Sequence, residues 1–213
     1  MKYKHIIWDW NGTLLDDCDL CLQSFNISLK KRDLSQITKN KYRESFTFPV
    51  SEVYEKVGFN FVLEPYEVVS NEFVNFYEEH FYKVKLHTRV EECLSKVLSN
   101  QVSQSILSAG KQDLLDNWIK RYNLQSYFSN IFGVEDQYAL GKIKQGISLK
   151  KILPYNDHEI VLVGDTKHDS EVAESMNIDC VLVDHGHVNK KRLKSTGRFV
   201  ASSLNEVLKI INL

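Results

Sequence analysis

Six short apolar runs, HIIWD, SQSILS, SNIFGV, EIVLVG, CVLVD and RFVAS, are spread along the chain, and most of those after the first are separated by helical patterns. Runs that are apolar at nearly every position suit strands buried on both faces. Strands that alternate with helices call for a parallel sheet with helices packed on it. In KQDLLDNWIKRYNL, Leu114, Leu115, Trp118, Ile119 and Tyr122 form the single apolar stripe of one such helix.

The interval between the first and second runs, roughly 17–101, is far too long for a crossover and must hold structure of its own. Cys18, Cys21, Leu22, Phe25 and Leu29 recur at three- and four-residue steps, as do Val69, Phe73, Phe76, Tyr77 and Phe81 after a helix start at Glu64-Pro65. Helices with such stripes bury them against each other. The expected organisation is an α/β core of residues 1–15 and 87–213 and an inserted helical unit over 16–86, with a helix over 90–98 returning the chain to the sheet.

Lysine and arginine number 27 against 28 acids in 213 residues, a net charge of −1. That balance points away from nucleic acid and from an acidic membrane surface. Asp9 interrupts the first apolar run before signal-peptide or spanning length, so a soluble, cytoplasmic protein is expected. Cys18, Cys21, Cys93 and Cys180 are too scattered for a disulfide scaffold. The Cys18–Cys21 spacing suits a redox or zinc pair, but no second pair follows, and core packing is the expected role.

The polar residues of interest fall at strand ends. Asp9 ends the first run, Ser108 ends QSILS, and Asp165 follows IVLVG, with Asp169 four residues on at a helix start. Carboxyl ends of parallel strands line the ligand crevice of an open sheet, so these residues converge. Clustered carboxylates repel unless a cation sits among them, and Mg²⁺ with its preference for hard oxygen donors is the expected ion. Ser108 and Lys142, the latter in ALGKIKQG at another helix start, supply donors for a phosphoryl group.

Together, DWNGT after an apolar run, a serine ending ILS, a helix-leading lysine and GDTKHD resemble the four ordered motifs of the haloacid dehalogenase superfamily of phosphatases. The likeness spans nearly the whole chain. The helical insertion is similar to the cap of the phosphoglycolate-phosphatase-like branch, and YRESFTFPV resembles the specificity segment of such caps, in which Arg43 is a candidate for contact with the substrate's remote end or for a surface role. The resemblance implies a Rossmann-like core and hydrolysis of a small, phosphoglycolate-like phosphomonoester. Asp9 would be the nucleophile that forms an aspartyl-phosphate. Asp9, Asp165, Asp169 and the backbone carbonyl of Asn11 would hold Mg²⁺. Trp10, Asn11, Ser108, Ala109 and Lys142 would hold the phosphoryl oxygens. Lys144 competes for the lysine role, but Gly141 before Lys142 favours the latter. The expected partner is a small phosphorylated metabolite, and the expected assembly a monomer or homodimer.

Asn11 departs from the pattern, which has there an aspartate that protonates the leaving alcohol. Asparagine cannot do this, and loss of general acid–base catalysis costs about 10²–10⁴-fold. Reduced turnover on alkyl phosphates follows. Asn11-Gly12 is also a strong turn signal, and the turn positions Asp9. Two other readings stand: a phosphonate hydrolase using a Schiff-base lysine among Lys39, Lys41 and Lys56, and a phospholigand-binding regulator with little turnover. His168 reads as a solvated helix-start residue. His185 and His187 have the spacing of a metal pair but lack a third ligand and read as rim or structural residues, and Asn189 to Arg192 reads as a solvated helix face.

Overall fold

The computed structural model describes residues 2–213. The chain runs β1 (His5–Trp8), β2 (Leu15–Asp16), α1 (Cys18–Lys31), α2 (Lys39–Ser45), α3 (Ser51–Lys56), α4 (Tyr66–His80), β3 (Lys85–Leu86) and α5 (Val90–Ser99). It continues through β4 (Ser103–Lys111), α6 (Gln112–Arg121), β5 (Asn130–Val134), α7 (Ile143–Ile152) and β6 (Ile160–Gly164), and ends with α8 (Lys167–Ser175), β7 (Asp179–Val183), α9 (Lys190–Lys194), β8 (Phe199–Ala201) and α10 (Leu204–Ile210).

All six apolar runs are strands of one parallel sheet, in the order β5-β4-β1-β6-β7-β8. Every residue of β1 and β6 is buried, as strands covered on both faces must be. The chain leaves β1 toward β4 and β5, then returns to build β6, β7 and β8 on the other side. The strand order therefore reverses at β1, and a crevice opens at its carboxyl end between the ends of β4 and β6. Strand β4 does not stop at Ser108: it continues to Lys111 with a register shift against β5 between Leu107 and Lys111, which bends the strand end around the crevice.

Helices α1 to α4 are inserted between β2 and β3, which pair antiparallel as a two-stranded ribbon at the entry and exit of the insertion. Cys18, Cys21, Phe25 and Leu29 of α1 are buried, and so are Val69 and Tyr77 of α4. Phe25, Leu29, Val53, Tyr54, Phe59 and Val69 form a core within the insertion, separate from the main core under the sheet. Asp19 in the first turn of α1 and Lys30 and Lys31 in its last turn complement the helix dipole. All four cysteines are free and buried. Among the described residues, no helix is long and apolar enough to cross a membrane.

The insertion is fastened to the sheet domain by polar contacts. Arg43 donates to the carbonyls of Asp184 (2.5 Å) and Val188 (3.2 Å), and Arg192 donates to those of Arg43 (3.2 Å) and Phe46 (2.7 Å). Ser70 and Tyr66 reach the carbonyls of Gln137 (3.0 Å) and Tyr138 (3.2 Å). Arg192 is thus a half-buried clasp, and the helix face expected to be solvated is so only in part.

A buried histidine, His5, and a half-buried one, His87, make this fold sensitive to acid. Burial holds His5 at about 4, and burial together with neighbouring His185 holds His87 at about 4, against an ordinary 6.5. The unfolded chain therefore takes up protons below about pH 6.5 that the native state refuses until about pH 4, and stability falls as pH drops through that window. The urea midpoint is expected to decline between these two pH values, with a shallower slope in His5→Gln. An equal slope in both proteins would contradict the assignment to His5.

Candidate active site

The chain turns sharply after β1, and that turn builds the floor of the crevice. The amides of Leu14 and Leu15 both donate to the Trp10 carbonyl at 3.0 Å, folding residues 10–15 into a tight loop. Gly12 has φ +75°, and a Cβ there would lie 2.5 Å from Asp165 Oδ2. Only glycine fits, for both conformational and spatial reasons. A Cβ at Gly186 would fall 2.1 Å from the same oxygen, so two glycines let two loops close over Asp165.

Asp9, at the end of β1, is surrounded by charge. Lys142, which is almost wholly buried, contacts Asp9 Oδ1, donates to the Leu107 carbonyl at 2.9 Å and lies 2.7 Å from Asp169 Oδ1. Lys144 is exposed, so Lys142 is the lysine delivered to the crevice. The Thr13 hydroxyl lies 3.0 Å from Asp9 Oδ2 and 3.3 Å from Asp165 Oδ1, one hydrogen for two carboxylate oxygens. Asp165 Oδ2 accepts the His187 amide at 2.5 Å. Asp169 caps its own helix reciprocally with Thr166, whose amide (2.9 Å) and hydroxyl (2.7 Å) both donate to Asp169 Oδ2.

Asp9, Asp165 and Asp169 each offer an oxygen within 4.8 Å of the others, and all three are buried. Lys142 alone cannot balance them, because three carboxylates against one ammonium leave two negative charges out of water. Burial raises Asp165 well above the usual carboxylate range, and repulsion from Asp9 and Asp169 adds to this. Burial, offset by Lys142 and reinforced by Asp169, raises Asp9 to about 6. The donor set is hard oxygen and the unbalanced charge is that of a divalent cation, so these residues fit Mg²⁺. Asp169 is the acid most fully engaged by protein, through Lys142 and Thr166.

A second layer lies behind this one, and sequence reasoning missed it. Asp17, fully buried, accepts from Asn11 Nδ2 (2.8 Å), the Gly12 amide (2.9 Å), the Tyr77 hydroxyl (2.8 Å) and His187 Nε2 (3.1 Å). Burial opposes ionisation of Asp17, but the His187 charge and these donors bring it down to about 2. Burial likewise disfavours the His187 cation, yet Asp17 beside it holds His187 well above its ordinary value. The two form a buried ion pair. Cys21 Sγ, 3.5 Å from Asp17 Oδ2, completes a group whose polar atoms are already paired with one another. Tyr77 belongs to the apolar stripe of α4 and Asp17 to an acidic helix start, and neither pattern signals a shared partner remote in sequence.

The structure also locates the histidines and Arg43. His168 is buried rather than solvated: its Nε2 accepts the Lys142 amide at 3.0 Å, which fixes the proton on Nδ1, 3.1 Å from Glu171. His187 is buried, the structural of the two roles expected of it. His185 packs against His87, the rings tilted with centroids 4.0 Å apart, and its Nε2 lies 3.1 Å from the Thr13 carbonyl, whereas His187 is paired with Asp17. Arg43 is occupied with the Asp184 and Val188 carbonyls and is not among the residues that line the cavity.

A cavity of about 160 Å³ opens above Asp9 and extends toward the insertion. Asp9, Asn11, Ala109 and Lys142 form its floor, and Phe46, Phe48, Phe73, Tyr77 and Trp118 contribute walls. Ser108 lies just below, with its hydroxyl 3.4 Å from Asn11 Oδ1 and accepting the Gly110 amide at 2.9 Å. Trp10 is fully buried and packs against Tyr122, so any contribution it makes to the floor is through backbone.

This arrangement has counterparts among known proteins. A protein of Caldanaerobacter subterraneus subsp. tengcongensis that bears the provisional name pyrophosphatase PpaX is 23% identical over 186 residues, covering 86% of this chain and 82% of that one. A crystal structure from Lactobacillus delbrueckii subsp. bulgaricus, provisionally named a phosphoglycolate phosphatase, superposes with a TM-score of 0.83 at 17% identity over 99% of both chains. A haloacid dehalogenase-like family protein of Streptococcus pneumoniae gives 0.78 at 18% identity over 98% of both. These two share the fold. The model of the haloacid dehalogenase-like hydrolases matches residues 6–183, from the strand that delivers Asp9 to the strand that follows Asp165, and the chain belongs to that family of hydrolases.

Proposed function

We propose that the protein is a Mg²⁺-dependent phosphatase that hydrolyses a small phosphorylated metabolite through an aspartyl-phosphate on Asp9. The observation that carries this reading is Asp9 itself: a buried carboxylate on the floor of a cavity, flanked by Lys142 and two further acids. Burial raises the pKa of Asp9, and Lys142 beside it favours the ionised carboxylate that a nucleophile needs. Mg²⁺ held by Asp9, Asp165 and the Asn11 carbonyl, with Asp169 contributing directly or through water, would neutralise the phosphoryl oxygens.

Asp9 attacks phosphorus, and the bond to the leaving oxygen breaks. Lys142 and Ser108 hold the phosphoryl oxygens while charge redistributes over them. His168 fixes the backbone of Lys142, and Asp169 its ammonium, so that Lys142 reaches Asp9 in one orientation. Water then attacks the acyl phosphate and releases inorganic phosphate. The helices between β2 and β3 act as a cap over residues 16–86, and their contacts with the core keep bulk water from Asp9 while the phosphoenzyme forms.

Asn11 donates its amide to Asp17 and has no proton to give a leaving alcohol. That favours slow turnover on alkyl phosphates, and it is also what supports the second reading, a phospholigand-binding protein. The Schiff-base reading has little support, because Lys39, Lys41 and Lys56 are all exposed and none lines the cavity.

Asp9→Asn is expected to reduce Mg²⁺-dependent phosphate release from p-nitrophenyl phosphate to background, measured as inorganic phosphate. Full release by that variant would disprove the nucleophile. Chelation should abolish release from the native protein and added Mg²⁺ restore it. Asn11→Asp sets a carboxylate where Asn11 now donates to Asp17 at 2.8 Å, and one of two carboxylates so placed keeps its proton near neutral pH. Turnover on alkyl phosphates is therefore expected to rise at least about tenfold. An unchanged rate would show that proton donation at position 11 is not limiting.

A further inference from the structure

The cavity above Asp9 carries a chemical preference. Its side walls are aromatic, with Phe46, Phe48, Phe73 and Trp118 facing the space beyond the expected phosphoryl position. Among the described lining residues, each cation is already taken. Lys142 lies between Asp9 and Asp169, His187 is paired with Asp17, and Lys111 turns to Asp113 at 2.9 Å. The acids Asp17 and Glu78 also line the cavity, and Glu78 accepts Trp118 Nε1 at 2.8 Å. A substrate bearing a second anionic group, a carboxylate or another phosphate, would bury that charge against rings and acids with no buried cation free to balance it, the unpaired Tyr54 hydroxyl being a neutral donor and Lys111 standing in an exposed pair, which is unfavourable.

The size of the cavity points the same way. At about 160 Å³, with Asp9 and Lys142 in its floor, it has to hold the phosphoryl group as well as the rest of the substrate, which limits that remainder to a small group. Rings such as these favour offset or edge-on contact with another aromatic ring. Independently, Asn11 leaves the site without the proton donor that an alkoxide leaving group needs. A phenol has an acidity near 10, against about 16 for water, so a phenoxide leaves far more readily without help.

We infer that the substrate is an aryl phosphomonoester whose uncharged single ring seats among Phe46, Phe48, Phe73 and Trp118, in place of the carboxylate-bearing, phosphoglycolate-like compound that the family resemblance implies. This rests on the phosphatase reading above. Asp9 forms the new oxygen–phosphorus bond as the bond to the aryl oxygen breaks, and the phenoxide departs with the electron pair and takes its proton from water. A second water attacks phosphorus, the bond to Asp9 breaks, and phenol and inorganic phosphate are the products of one net water.

The test uses the full chain with Mg²⁺ and measures kcat/KM for phenyl phosphate, benzyl phosphate, phosphoglycolate and pyrophosphate. Phenyl phosphate is expected to exceed the two doubly anionic compounds at least about 100-fold, and benzyl phosphate, which keeps the ring but loses the good leaving group, to fall between. In parallel, the non-hydrolysable phenylphosphonate is expected to bind at least about tenfold tighter than phosphonoacetate. Phe73→Arg, at a half-buried wall position, should narrow both ratios while its circular dichroism stays native. Faster hydrolysis of phosphoglycolate or pyrophosphate than of phenyl phosphate would overturn the inference and leave the phosphatase reading intact. If no compound is hydrolysed, the phosphatase reading fails, and the two phosphonates still decide the inference: tighter binding of phosphonoacetate overturns it.

Discussion

Much of this molecule is arranged around a local excess of negative charge at the end of one buried strand. Asp9, Asp165 and Asp169 come from three separate elements and meet with Lys142 as their one ammonium. Such a cluster is destabilising by itself, since buried carboxylates are costly without full compensation. The surrounding structure is over-determined accordingly. Thr13 and Thr166 hydroxyls, the His187 amide and the Leu107 carbonyl each hold one member of the cluster at hydrogen-bond distance. Gly12 and Gly186 are required because the loops that bring these donors leave no room for a Cβ beside Asp165.

The Asp17–His187 pair supplies the next layer, and it connects the cluster to the insertion. Asp17 precedes α1, Tyr77 lies on α4, and His187 bonds the Tyr42 hydroxyl of α2 at 3.0 Å as well as Asp17. Three inserted elements are therefore read by one charged pair, which also takes the Asn11 side-chain amide and the Gly12 amide on Asp17 and, through the His187 backbone amide, reaches the Asp165 carboxylate. Asn11 is best understood through this layer. Its amide is a neutral donor to an ionised carboxylate, and an ionised carboxylate in its place would repel Asp17. The residue that has no proton to give a leaving group is also one of the donors that satisfy the buried anion.

The sheet was legible because parallel strands are buried on both faces and so write themselves as unbroken apolar runs, as IVLVG and HIIW do. The inner residues were legible because strand ends converge, which places Asp9, Ser108 and Asp165 together without any contact being known. The second layer was not. A tyrosine within an apolar stripe looks like any core aromatic until its hydroxyl meets a carboxylate sixty residues away in sequence. Burial of His168 and His187 was hidden for a related reason: each is polar and near a loop, and only packing by Phe48 and Phe46 removes it from solvent. Arg43 and Arg192 looked free because nothing in a sequence shows that a backbone carbonyl will accept from them.

The two fastenings of the insertion differ in kind, and the difference bears on how the cavity works. Arg43 and Arg192 grip backbone carbonyls, contacts that are independent of what occupies the cavity. The Asp17–His187–Tyr42 chain instead runs along the cavity wall, where all three residues line the space. Phe46 stacks on His187 with ring centroids 4.9 Å apart, so the same histidine that pairs with Asp17 also supports an aromatic wall. Charge behind the wall thereby orders the apolar surface in front of it. An aromatic lining held in this way is preorganised, and a ring entering it has little side-chain ordering left to impose.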